Sequence, residues 1–223
     1  MMKRLVVLAL FAWPLEAAVP SNGETLRYSI SWPSGLSLGE GEMKVARSGE
    51  NWSFEFQFEA AVPGFAIADR FVSLTGMNRC SLAFDKDLRH GARQSREKIT
   101  FDPSGKATRQ TVGGGKSEMD IPSCAHDALA YLFHLRHELA QGRIPAAENV
   151  YYGAPYRVRV EYKGARKIKI GEAMEEADRV LAFVKGPSSE FQVELYFGKD
   201  AARTPLAARV PVAMGTFAVE LVR

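Results

Sequence analysis

The 223-residue chain has four histidines, two cysteines and an arginine inside an apolar run; these are its residues best suited to chemistry. His134 and His137 stand three apart, which places both imidazoles on one helical face, where they could share a metal ion. A third ligand is missing from the pattern, because His126 and His90 come near only through folding, so no metal is assigned. His126 and Asp127 are adjacent, and neighbours on a helix point about 100° apart. They are therefore not a catalytic pair, and Asp127 reads as a capping or first-turn dipole group. No phosphate loop, His-Glu-x-x-His or Cys-x-x-Cys occurs, so no catalytic residue and no cofactor is assigned.

Arg136 is the most informative charge. At about 100° per residue it falls between Leu129 and Leu132, inside the apolar arc of its helix. A buried guanidinium needs a carboxylate or several carbonyls, and Asp69, beside Phe71 and Val72, is the expected partner. The rival reading has Arg136 meeting an anionic head group at a cavity mouth. Asp200 and Arg203 precede Thr204-Pro205, where turn chemistry and the start of a strand explain them.

These residues are positioned by one helix and many strands. The helix is expected over Ser123–Gly142, with Ser123 as N-cap and Gly142 as the stop. Ala128, Leu129, Tyr131, Leu132, Phe133, Leu135 and Leu139 form its apolar arc, and His134, His137 and Glu138 lie opposite. Leu26/Tyr28/Ile30/Trp32, Trp52/Phe54/Phe56/Phe58, Tyr156/Val158/Val160/Tyr162, Ile168/Ile170, Phe191/Val193/Leu195/Phe197, Leu206/Ala208/Val210/Val212 and Phe217/Val219/Leu221 alternate with polar residues, as half-buried strands do. Weaker alternation surrounds Leu82/Phe84 and Ile99/Phe101. Turns are read at Ser48–Asn51, Asp102–Gly105, Lys163–Ala165, Gly186–Ser189 and Gly198–Asp200. The fold class is mainly β: a curved antiparallel sheet or half-open β-barrel packed around one central α-helix. One helix does not obviously fill so wide a sheet, which leaves room for an apolar cavity.

Residues 1–18 have a basic head, an apolar run from Leu5 to Trp13 and small residues at the end, the pattern of a signal peptide and too short to span a membrane. Residues 19–223 then form a single domain with no transmembrane segment after processing. Removing the leader changes the formal charge from +3 to +2, and the remaining basic residues alternate singly along strands, so no nucleic-acid partner is expected. Export makes Cys80 and Cys124 candidates for one disulfide. Closing its loop of about 44 residues would remove roughly 4 kcal/mol of unfolded-state entropy.

Asp69-Arg-Phe-Val-Ser73, Phe101-Asp102, Asp127-Ala-Leu129, Leu135-Arg136, Leu195-Tyr-Phe-Gly-Lys-Asp-Ala-Ala-Arg203-Thr-Pro205 and Gly215-Thr-Phe-Ala-Val-Glu-Leu221 occur in an order that resembles domain-of-unknown-function family 3108. The resemblance covers nearly all of residues 19–223. It implies an exported bacterial protein with an antiparallel sheet curved around a helix, similar to the lipoprotein carriers LolA and LolB, whose half-barrels hold acyl chains. The expected function is therefore a non-enzymatic periplasmic or envelope-associated protein that holds a lipid or other apolar ligand, with Phe54, Phe56, Phe58, Tyr131, Phe133 and Arg136 around it. A structural module binding an envelope protein partner, or an envelope hydrolase, are the alternatives.

Overall fold

The computed structural model describes residues 23–223 except 33, 63, 213 and 214; the leader read at residues 1–18 lies outside the described residues. The chain starts with an antiparallel meander: β1 (Glu24–Ser31), β2 (Ser37–Ser48), β3 (Asn51–Val62), β4 (Phe65–Thr75), β5 (Ser81–His90), β6 (Arg93–Asp102), β7 (Lys106–Thr111) and β8 (Lys116–Asp120). A two-residue strand β9 (His126–Asp127) leads into helix α1 (Ala128–Ala140). A second meander follows: β10 (Glu148–Tyr151), β11 (Pro155–Ile170), β12 (Ala173–Lys185), β13 (Glu190–Gly198), β14 (Pro205–Val212) and β15 (Gly215–Leu221). The last strand returns to the first, with Tyr28 opposite Leu221, so all fifteen strands form one sheet with β8 and β9 at its edges. Every pairing is antiparallel except β9 with β10.

The sheet coils until β9 meets the start of β5. There the Ser81 N–H donates to the Ala125 carbonyl at 2.9 Å, and the Cys80–Cys124 disulfide joins the same two segments, Cα to Cα 4.9 Å. Tight coiling requires close backbone approach at Gly39, where an added Cβ would lie 1.8 Å from the Glu59 carbonyl oxygen. Inside the curve, Phe54, Phe71, Phe84, Phe101, Tyr151 and Leu206 pack with Leu129 and Phe133 of α1. The other side of α1 sends Tyr131, Leu135 and Leu139 against Val158, Val160, Val180 and Phe197.

The helix is shorter than its sequence pattern. Its N-cap is Asp127, whose carboxylate accepts from the Leu129 and Ala130 N–H groups at 2.9 and 3.1 Å. Ser123 instead sits in an exposed bend; the preceding residues are held extended by the disulfide and by β9, so helical backbone cannot begin there. The expected turn at Lys163–Ala165 is a bulge within β11, which continues to Ile170 and turns only at Gly171. Gly164, at φ 87°, takes up the bulge without ending the strand.

Candidate functional site

The inner face of the sheet differs between its two ends. At the end with the β2–β3, β4–β5 and β6–β7 turns, α1 covers the wall. Phe54 lies 3.9 Å from Phe133, ring to ring and nearly parallel, and both are almost fully buried, at 1% and 4% exposure. Towards the opposite end, strand alternation keeps Phe58 on the face of Phe54, Ile67 on that of Phe71, Leu88 on that of Phe84, Val184 on that of Val180 and Val193 on that of Phe197. All five are only partly buried. Trp32 and Phe217 stand at the same rim with rings 5.1 Å apart, against a small buried cluster of Ile30, Leu38 and Ala60. Val184 and Val193 still pack against the Tyr131, Leu135 and Leu139 cluster, so it is on the side of Phe58, Ile67 and Leu88 that the apolar inner wall runs past the helix and stays partly open.

Polar residues mark the boundary. Lys86 and Glu97 face inward and pair at 2.8 Å with less than a tenth of either side chain exposed. Arg109 donates to the same Glu97 carboxylate. Lys86 also lies 4.1 Å from the centre of the Tyr152 ring and donates to the Tyr152 carbonyl at 3.3 Å. Burial, with Asp69 nearby, pushes the Tyr152 phenol well above its ordinary range, so Tyr152 stays neutral and joins the wall. None of these polar residues was read from the sequence, although the Phe84/Lys86/Leu88 alternation carried Lys86 inward.

Arg136 is inward, as its helical position requires, but its partner is Glu24. Two guanidinium nitrogens meet the two Glu24 oxygens at 2.7 and 3.0 Å, the third donates to the Ala202 carbonyl at 3.0 Å, and the guanidinium lies 4.9 Å from the Phe133 ring centre. The expected Arg136–Asp69 pair is therefore corrected. Asp69 sits nearer the open end of β4, where His90 Nε2 lies 3.0 Å from both its oxygens and the Arg89 N–H donates at 3.1 Å, whereas α1 reaches β4 near Ser73.

Of the expected ligand residues, Phe54 and Phe133 fill each other's space, Tyr131 belongs to the packing on the other side of α1, and Arg136 is closed off by Glu24. Phe56 and Phe58, half-buried and 5.8 Å apart between rings, remain on the open wall. Cys80 and Cys124 are bonded to each other.

Asp127 is a structural centre. Ser73 and Ser81 hydroxyls donate to its second oxygen at 2.6 and 2.7 Å, so four donors converge on one carboxyl. Burial nevertheless pushes its pKa above the ordinary carboxylate range, opposed by those donors.

His134 is half-buried rather than open to solvent, because its ring stacks on buried His126 with centroids 4.7 Å apart. His126 Nδ1 lies 3.0 Å from Glu148. Among the described residues no group of three or more His, Cys, Asp or Glu converges as a metal site.

Gly35-Leu-Ser-Leu-Gly39 has the spacing of a hydrolase nucleophile elbow, which corrects the expectation that the sequence lacks a Gly-x-Ser-x-Gly motif. Ser37 opens β2 after a strand-to-strand connection, whereas the elbow needs a strand-to-helix turn. The outer face of β1–β5 also forms an open trough of about 600 Å³ lined by Arg27, Glu40, Glu42, Glu59, Arg70 and Asp87. Arg27 with Glu42 and Arg70 with Glu55 are ion-paired there, so its charges are already matched within an open, solvated surface. No helix of the described residues is long and apolar enough to cross a membrane.

No curated protein matches this chain. Among solved structures, a beta-barrel-like protein of domain of unknown function DUF1849 from Brucella abortus is similar in fold, with a TM-score of 0.64 at 7% identity over 90% of this chain and 95% of that one. At that identity the likeness speaks for the fold alone. The sequence profile of the family described as "Protein of unknown function (DUF3108)" matches residues 27–222, nearly the whole described chain, and the protein belongs to that family.

Proposed function

We propose that this protein is an exported, non-enzymatic component of the cell envelope that holds an apolar group, such as an acyl chain, against the part of the inner wall that α1 leaves uncovered. The observation that carries this reading is the partial exposure of Phe56, Phe58, Ile67 and Leu88 on the same strand faces that are fully packed under the helix. In this reading the wall serves as the acyl-holding half-barrels of LolA and LolB do. Covering about eight methylenes at about 0.8 kcal/mol each contributes about 6 kcal/mol, before the cost of immobilising the chain. Binding is then tens of micromolar at best, so a cargo is retained only where the protein stays concentrated through a gentle purification.

Native mass spectrometry with lipid extraction, on protein drawn from the envelope fraction, tests the reading. A stoichiometric acyl species is expected, together with binding of a fluorescent fatty acid that falls at least tenfold in Phe58→Glu while the urea midpoint holds. A clean apo mass with no fatty-acid binding would sink it. The favoured role would then be a protein-interaction module using β8, which has a partner on one side only.

A further inference from the structure

The outer stripe of α1 carries a second feature, independent of the inner wall. His134 lies three residues from both Tyr131 and His137 and so neighbours each of them on the surface of α1. The Cys80–Cys124 disulfide ties the β4–β5 turn to the segment before β9, and His126 at the end of that segment stacks on His134, which brings the turn towards this stripe; in it Arg79 adopts the left-handed conformation at φ 66°. Arg79 has no ion-pair partner among the described residues. Burial lowers the pKa of both histidines; at His137 the Arg79 charge is the next cause in the same direction, and at His134 the charge of His126 comes next and that of Arg79 last.

Buried side-chain polar atoms normally find partners, yet Arg79 Nε, Tyr131 Oη and His137 Nδ1 have none. Tyr131 is itself more than nine-tenths buried, with its ring centre 6.4 Å from those of His126 and His134. Gln141 Nε2 donates to His137 Nε2 at 2.6 Å, which leaves the ring proton on Nδ1. Arg79 Nε is a donor, His137 Nδ1 is a donor in that tautomer, and the Tyr131 hydroxyl can donate. The nearby carboxylates are engaged elsewhere: Glu138 with Arg143 at 2.8 Å through both oxygens, and Glu148 with His126 at 3.0 Å. What is missing is an acceptor that also balances one guanidinium charge.

We propose that Arg79, His134 and His137, with the Tyr131 hydroxyl beneath them, form a binding site for a phosphate-like oxyanion. Donors beside an unpaired cation match an anionic group rich in acceptor oxygens. The phosphate is either free or the head of an anionic lipid.

Imidazole resonances followed by NMR in the disulfide-intact protein, titrated with inorganic phosphate against chloride at equal ionic strength, test this. His134 and His137 are expected to shift with phosphate while His90, on the sheet, stays still. Arg79→Gln should weaken the response about tenfold or more. Arg79→Gly removes the same charge and relieves the left-handed backbone, so its urea midpoint should equal or exceed the wild type while phosphate binding is lost; a purely structural arginine would instead lower the midpoint. Sedimentation with phosphatidic acid vesicles separates the sources: wild type pelleting while Arg79→Gln stays soluble assigns the phosphate to a lipid, and shifts with inorganic phosphate alone assign it to a free ion. Equal shifts with chloride, or an unchanged titration in Arg79→Gln, would overturn the proposal.

Discussion

The two ends of the inner wall are made from the same strands and nearly the same residue types, yet one is a packed core and the other an open surface. On β3 the change occurs within four residues, from Phe54 under the helix to Phe58 beyond it. The helix decides which end closes, and a capping carboxyl, an ion pair and a disulfide decide where the helix sits. Hydrophobicity sets what can be buried, while a few polar contacts set what is.

The widest contrast comes from truncating aromatics at each end. Phe133→Ala removes a ring from close packing and should cost about 4 kcal/mol in urea unfolding, whereas Phe58→Ala, only partly buried, should cost less, about 2 kcal/mol. Equal losses would mean that the open end is packed as tightly as the helix end. Removing the disulfide with Cys80→Ser and Cys124→Ser together should cost about 3 kcal/mol. Because that bond joins β9 to β5, amide exchange should quicken first at Ser81 and Asp127 and leave β1–β3 protected; uniform quickening would count against a local clasp.

The smallest effect concerns Asp127. Burial raises its native pKa above the unfolded value near 3.8. Its proton-linked contribution to stability is therefore complete below that unfolded value and is lost as pH rises through the raised native one. Asp127→Asn should gain on the wild type in urea midpoint comparisons as pH rises above about 4. If the wild type gains instead, the four converging donors outweigh desolvation.

Much of this was legible in the sequence. Alternation of two located the strands with one polar face, and the 3.6-residue period located α1 and turned Arg136 inward. β12 escaped because Ala177 to Ala182 is buried on both faces apart from Arg179, which erases the alternation. β2 escaped because Gly39 and Gly41 occupy positions where a pattern would show large residues. The partner of Arg136 was not readable at all: Glu24 is 112 residues away and is brought there only by the coiling of the whole sheet. The orphaned donors at Arg79 and Tyr131 were likewise invisible, since being unpartnered is a property of three dimensions.

The pairing of β1 with β15 bears on how the molecule is made. Tyr28 and Leu221 lie at nearly opposite ends of the sequence, so the join in the middle of the sheet has a very large loop-closure cost and must form late. Until the last seven-residue strand is available, the two meanders have no common sheet, and each exposes a long unpaired edge. The chain therefore stays open-edged until β15 has been delivered, and losing that one strand would divide the sheet at its centre rather than trim its margin.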